Sequence, residues 1–576
     1  MNNKLIGLVF LAGGLAACSG PKGPVIRLNQ VGYFPQQEKV AVADTVGVTE
    51  FTVVNAATGE VVLKELTAMT QANGWTQDVR STMDFSSLTE PGRYWLLAAG
   101  DTAEFEIKER PLAPLADAAL KAFYYQRASM PVEETYAGVW NRPAGHPDDA
   151  VQVHPSAAGP VRKAGDAVAS PGGWYDGSDY NKYVVSSAFS VGLMQAVYRL
   201  FPDYFAKQNL NIPESKNATP DLLDEMHYSL AWMLTMQDPA DGGVYHKLTA
   251  PEFEEMVMPA ACGQQRYVVQ KSVTASLDFA AVMAQASMLF KPYAKDYPGF
   301  AAKALKAAER AYTWAVRHAD AQYDPVVVNQ AYDPDINTTA YSDVDATDEF
   351  FWAATELYYA TGKRPYRDKA ITSSPRAYTA PRWNNASALG MFAWLLPSRA
   401  ESREAVQAAL VSSLKSYLLV YASNVMKGSD RAAFHAPFGD DAADFYRGCL
   451  AEQCVGDALS LVYAYLLSED QRYLTNAYRN MDYVLGRNPT GYCYVTGFGA
   501  KSPLHPYHRL SAADGIGQPV PGLLVGGPDG ENEAAPDESY ADAETARNTN
   551  GVSVGWNAGL ASLAAALDAL SQAKEE

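Results

Sequence analysis

Cysteine is scarce in this chain, with five in 576 residues. That excludes a disulfide framework for so large a protein. The eight histidines are not clustered and no CxxC pair occurs, so a zinc site has no support from spacing. Basic charge is short as well. Lys and Arg number 46 against 65 Asp and Glu, a formal net charge of −19. Such a balance repels nucleic acid and anionic membrane surfaces, and favours neutral or cationic ligands. Beyond the first twenty residues no apolar run is long enough to cross a membrane. No repeat of roughly 20–50 residues recurs, which argues against a solenoid.

What is present is apolar and aromatic. The chain is 48% hydrophobic and 11% aromatic, with 35 tyrosines. A chain of this length buries a large core and divides into more than one domain. Most tyrosines must serve packing, yet enough remain to stack on sugar rings. The opening "MNNKLIGLVFLAGGLAACSG" has Lys4, an apolar run from Leu5 and small residues up to Cys18. It reads as an export signal covering residues 1–17. "LAAC" resembles a bacterial lipobox, which implies lipidation of Cys18 as the mature N-terminus, a short tether over 18–24 and an envelope lipoprotein. The outer membrane of a Gram-negative cell is the expected location, its face left open. Simple secretion with cleavage nearby is the alternative. Of the other four cysteines, Cys449 and Cys454 in "CLAEQC" could close a small loop or remain thiols.

Residues 25–109 alternate with period two. "FTVVNAATGEVVLKEL" turns at Gly59, and "GRYWLLAAG" and "AEFEIKE" add strands, which together predict a small β-sandwich. After "ERPLAPLADAAL" the period lengthens. "PDLLDEMHYSLAWMLTMQ", "VTASLDFAAVMAQASMLF", "DEFFWAATELYYATG", "ALSLVYAYLLS" and "NAGLASLAAALDAL" predict helices, so residues 110–576 are mainly α, a toroid rather than a simple bundle. In the third of these, Phe350, Ala354, Leu357 and Tyr358 share a face behind Asp348 as a cap. The Gly, Asp, Tyr and Trp clusters fall in the loops between these segments, where functional groups concentrate.

One such loop is "GGWYDGSDYNKY", which sets Asp176 and Asp179 three residues apart among aromatics. On its own "DGSD" is ordinary turn chemistry and lacks the spacing of a calcium loop. Together with "LNQVGYFP", "YYQRASMPVEE", "DGGVYHKLT", "YVLGRNPTGYCYVTGFGAKSPLHPYHR" and "PVPGLLVGGP", in that order along residues 25–570, it resembles glycoside hydrolase family 9. The variety resembled carries an immunoglobulin-like domain ahead of an (α/α)6 barrel. The resemblance implies endo-acting β-1,4-glucanase chemistry with inversion. Inversion needs a carboxylate base and a carboxylic acid about 6.5–9.5 Å apart, with a water between base and sugar. By the resemblance Asp179 is the general base and Asp176 positions the water. The same comparison nominates Trp174, Tyr175, His246, Tyr507, His508, Arg509, Asp542 and Trp556 for the substrate. For His246 a histidine satisfied within a loop is the competing reading, and for Arg509 a loop ion pair.

The acid is missing. The family places it after an Asn and ahead of a Trp-Asn-Ala helix start. In "SYADAETARNTNGVSVGWNAG" the flanking Tyr540, Asp542, Asn550, Trp556, Asn557 and Ala558 keep their places, while Gly551 stands where the glutamate belongs. Glu544 and Asp542 lie seven and nine positions upstream as candidate substitutes. Three further departures surround it: Tyr507 for the first histidine of the substrate loop, Tyr446-Arg447-Gly448-Cys449 for a Trp-Gly-Ser-Asn segment, and Arg547 for an aromatic four residues before the acid. Two readings follow. One is a β-glucan or cello-oligosaccharide hydrolase with impaired turnover, and the other a lipid-anchored glycan-binding protein on a hydrolase scaffold. A polysaccharide lyase on a similar toroid lacks its basic-residue arrangement. Whether Gly551 is natural or introduced is not legible. No cofactor is required. The resemblance leaves room for a structural calcium with no ligand set assigned, and "YSDVDATDE" and "GDDAAD" read first as solvated acidic faces. A monomer is expected.

Overall fold

The computed structural model describes residues 25–72, 78–396, 405–438, 442–532 and 535–572. The signal segment, Cys18 and residues 439–441 of "GDDAAD" lie outside them.

The alternating N-terminal segments pair as two four-stranded antiparallel sheets. One runs Ile26–Arg27, Val40–Ala43, Val79–Asp84, Ala68–Gln71, and the other Val61–Leu66, Glu50–Asn55, Gly92–Ala98, Asp101–Ile107. Their inward positions, among them Phe51, Val53, Met83, Phe85, Tyr94, Leu96 and Phe105, interleave as the core of the sandwich. Tyr94 faces Phe105 across the ladder and stacks on it at 5.5 Å. The expected hairpin turns at Gly59, whose φ of +75° suits glycine.

Twelve helices of nine residues or more follow among the described residues. Six form an inner ring: Val184–Leu200, Val273–Leu289, Thr347–Thr361, Ser387–Leu395, Gly456–Ser468 and Val554–Gln572. Val273–Leu289 and Val554–Gln572 are apolar on every side, which a helix tolerates only when enclosed. Six more pack outside them: Ala113–Tyr125, Asp221–Met236, Phe300–Arg317, Arg364–Thr372, Ala405–Ser429 and Gln471–Val484. Phe300–Arg317 shows the amphipathic stripe of an outer helix, burying Ala304, Ala308, Ala311 and Ala315. This is the (α/α)6 barrel that the periodicity and the resemblance together predicted.

Two expectations are corrected here. Asp348 does not cap its helix, which starts after Ala346 without a side-chain cap; its carboxylate instead accepts the Ala386 amide at 2.5 Å. Cys449 and Cys454 form no bridge, and all four described cysteines are free thiols.

A buried carboxylate is among the links that join the sandwich to the barrel, beside the Glu38–Arg479 ion pair and the contacts of Gln30 with Gly491, Ala500 and Lys501. Asp482 accepts Asn29 Nδ2 at 2.7 Å and Gln37 Nε2 at 3.1 Å, with Arg487 Nη1 at 3.5 Å. All four groups are buried. Burial pushes Asp482 up to about 6, against the opposing pull of Arg487.

Candidate active site

The loop of "GGWYDGSDYNKY" is held open by glycine. Gly177 has φ +122°, and a Cβ there would meet Ser553 Cα and Val552 O at 2.9 Å. Only hydrogen lets the loop lie flat against residues 552–553. There Ser178 Oγ and N both donate to Val552 O, at 2.8 and 3.2 Å, and Val554 N donates to Asp176 O at 2.8 Å. The Asp176 loop and the segment after Gly551 are therefore one zipped unit. Tyr507 N donates to Asn550 O at 2.7 Å, which brings the third loop alongside.

Asp176 and Asp179 sit on the floor of a cleft of about 1160 Å³, solvent included. Phe189, Phe253, Tyr341, Trp383, Tyr507 and Trp556 supply its aromatic walls. Asp176 Oδ1 accepts Ser186 Oγ at 2.6 Å, and Oδ2 accepts the Tyr341 hydroxyl at 2.7 Å. Asp179 Oδ1 accepts Asn181 N at 2.8 Å and the Tyr183 hydroxyl at 3.3 Å. Burial and repulsion by Asp179 push Asp176 well above the usual carboxylate range. Burial also raises Asp179, with the Asn181 amide and Arg509 pulling the other way. Each of the two therefore holds a proton more tightly than a free carboxylate does.

Of the nominated substrate residues, Tyr507, Arg509 and Trp556 line this cleft. Arg509 is not in an ion pair: it donates to Glu254 O at 2.8 Å and to Ser178 O. The structure places five others elsewhere. Trp174 is fully buried, donating Nε1 to Glu225 beneath Phe123. Tyr175 is equally buried, its hydroxyl 2.9 Å from His146 Nδ1. His246 stacks on Tyr323 at 4.3 Å and is satisfied by Ser272 and Ala340 O, the loop reading of that residue. His508 is clamped between Gln126 and Ser511. Asp542 is spent on the amides of Leu504 and His505 and on Asn550. In "WYDGSD" both adjacent aromatics turn into the core while the two aspartates face the cleft.

Sequence reasoning missed Phe253, Tyr341, Trp383, Arg382 and Glu452, all of which line the cleft. Tyr341 lay in the segment read as acidic surface, and no local signal marked the others. Neither Glu544, which is exposed, nor Asp542 lines the cleft. The remaining carboxylate there is Glu452, which accepts the Tyr446 hydroxyl at 2.8 Å and faces Arg382 Nε at 3.6 Å.

"YSDVDATDE" is not a solvated face throughout. Glu349 is 1% exposed and Asp278, from the neighbouring helix, 2%. Both Glu349 oxygens, Asp278 Oδ1 and Asp343 Oδ2 are buried without a hydrogen-bond partner. Burial and mutual repulsion push Asp278 and Glu349 well above the carboxylate range and Asp348 to about 6. No lysine or arginine pairs with them among the described residues. A hard oxygen-seeking cation would have to draw these oxygens in, since among the described residues only His146, Glu254 and Cys262 bring three such ligand atoms within 4.8 Å of one another. There burial, with Arg266, Lys182 and Arg142, pushes His146 down to about 2, and burial lifts the Cys262 thiol to about 12, a setting hostile to a further cation.

Residues 113–564 match glycosyl hydrolase family 9, and residues 21–103 match the cellulase N-terminal ig-like domain. A xyloglucan-specific endo-beta-1,4-glucanase of Bacteroides ovatus is 56% identical, over 99% of this chain and 98% of that one. Endoglucanase D of Acetivibrio thermocellus is 31% identical, over 93% of this chain and 82% of that one. The solved structure of a Bacteroides ovatus family 9 protein superposes with a TM-score of 0.93 at 57% identity, over 95% of this chain and 99% of that one.

Proposed function

The chain belongs to glycosyl hydrolase family 9, a glycoside hydrolase of the endoglucanase type, and from that premise we propose that its cleft holds a β-1,4-glucan backbone for inverting attack. Asp179 is the general base, Asp176 holds the water, and Gly551 limits turnover because no acid stands there. The observation that supports this is the zipped unit: the loop of the two aspartates and the segment around residue 551 are hydrogen-bonded into one floor. Losing a general acid costs about 10²–10⁴ in rate. The 56% identical relative makes a xyloglucan backbone the first substrate to try.

Two further parts of the reading concern support rather than chemistry. Asp278, Asp343, Asp348 and Glu349 hold a structural calcium that neutralises their charge and takes no part in the reaction. Cys18 carries a lipid anchor and fixes the protein, as a monomer, to the cell envelope; Cys18→Ser, followed by fractionation, reads this directly.

Reducing-end release from xyloglucan, carboxymethyl cellulose and cello-oligosaccharides tests the hydrolase reading. The protein is compared with Gly551→Glu and with Gly551→Glu carrying Asp179→Asn. A rise of about two decades or more with the glutamate, abolished by the asparagine, is expected. Equal silence in all three overturns it.

A further inference from the structure

The charge inside the cleft runs against that of the chain. Four arginines line it, Arg382, Arg447, Arg509 and Arg547, against three carboxylates, Asp176, Asp179 and Glu452. Glu452 is answered by Arg382. Three guanidinium groups are left to face two aspartates, in a protein of net charge −19.

Two of these arginines make no side-chain hydrogen bond among the described residues, although Arg447 draws the Asp176 carboxyl down electrostatically. Arg447 and Arg547 are exposed to the cleft and form no ion pair among the described residues. Each rests against an aromatic wall instead: Arg447 is 5.7 Å from the Trp556 ring centroid, and Arg547 is 5.2 Å from that of Phe253. Arg509 approaches the same Phe253 ring at 5.8 Å and Tyr507 at 5.7 Å. A guanidinium laid on a ring keeps its N–H fork free for a planar anion.

We infer that this cleft is built for a carboxylate-bearing β-linked glycan, a chain containing uronic acid, with Arg447 and Arg547 reading the sugar carboxylate. The inference rests on the glycan reading above and narrows its ligand. It also reverses, for this site, the preference for neutral or cationic ligands that total charge suggested. The cleft walls focus the local field even though the surface at large is acidic.

Calorimetric titration with cellohexaose and with the β-1,4-linked hexamer of glucuronic acid tests it. The uronate should bind about tenfold tighter near 20 mM salt, and the advantage should shrink near 200 mM as the screening length falls. Arg447→Gln with Arg547→Gln should bring the two affinities within about twofold of each other, because neutral hydroxyls do not need the charge. Thermal unfolding of the double variant confirms that it is folded. Equal binding of both hexamers by the unaltered protein, or tighter binding of the neutral one, overturns the inference and leaves the glycan reading standing. Binding of neither overturns both.

Discussion

A Cβ on Gly551 would stand 2.5 Å from the carbonyl oxygen of Arg547. The backbone at Gly551, with φ −68° and ψ 157°, is open to any residue, so the obstacle is the turn Arg547–Asn550 and not the glycine's own conformation. Gly551→Ala and Gly551→Glu should therefore each cost about 1–3 kcal/mol while that turn shifts. Denaturant unfolding of both variants checks this. A loss confined to the glutamate would place the strain in its carboxylate instead.

Tyr341 donates to Asp176, the aspartate proposed to hold the water. On the Gly551→Glu background, Tyr341→Phe should lower kcat up to about tenfold with little change in KM, since a hydrogen bond contributes about 0.5–1.5 kcal/mol net. An unchanged kcat would show that Ser186 alone orients that carboxylate.

Trp174 and Trp556 make a paired contrast. Trp174→Phe removes a donor from the Glu225 and Arg127 network and should cost about 1–3 kcal/mol of stability without altering oligosaccharide affinity. Trp556→Ala should weaken binding about tenfold through loss of ring contact. Reversed results would return Trp174 to the substrate and remove Trp556.

Asp457 is fully enclosed, held by the Tyr421 hydroxyl at 2.6 Å, and burial pushes it up to about 7. A carboxyl raised on folding contributes stability that is complete below its unfolded value near 4 and lost as pH rises through about 7. Asp457→Asn keeps an acceptor for Tyr421 and should flatten that fall by an amount of order 3–4 kcal/mol. Urea titrations at pH 5 and pH 8, both within reach of this group, read the slope; a slope equal to that of the unaltered protein refutes the assignment.

Calcium should raise Tm, and a chelator should lower it, while Glu349→Gln with Asp278→Asn should remove the response. The four carboxyls repel one another and three of them carry orphaned oxygens, a state a cation relieves. Calcium-independent melting would leave proton sharing as their only remedy.

The barrel and the sandwich were legible because both rest on period: four of the six inner helices stood out as apolar-periodic segments, Val184–Leu200 and Ser387–Leu395 did not, and the strands alternated. The Asp176 and Asp179 loop was legible from its family pattern, and Gly551 as its broken member. Burial of His246, His508, Trp174 and Tyr175 was not, because a loop has no period from which a facing direction follows. Phe253 and Trp383 come from loops distant in sequence and meet the cleft only once the ring of helices closes. Arg447 and Arg547 were visible as departures from the family, but that both project into one space is a fact of three dimensions.

The Asp482 link has a consequence for inheritance. An acid buried at the join, served from across it by the amides of Asn29 and Gln37, makes the two modules poor objects for shuffling. A borrowed sandwich without an equivalent pair would leave that carboxylate with Arg487 and two fewer donors, at a cost of the order of 1–3 kcal/mol for each. In this chain the two halves therefore share one buried charge, and replacing either alone leaves the other short of hydrogen bonds.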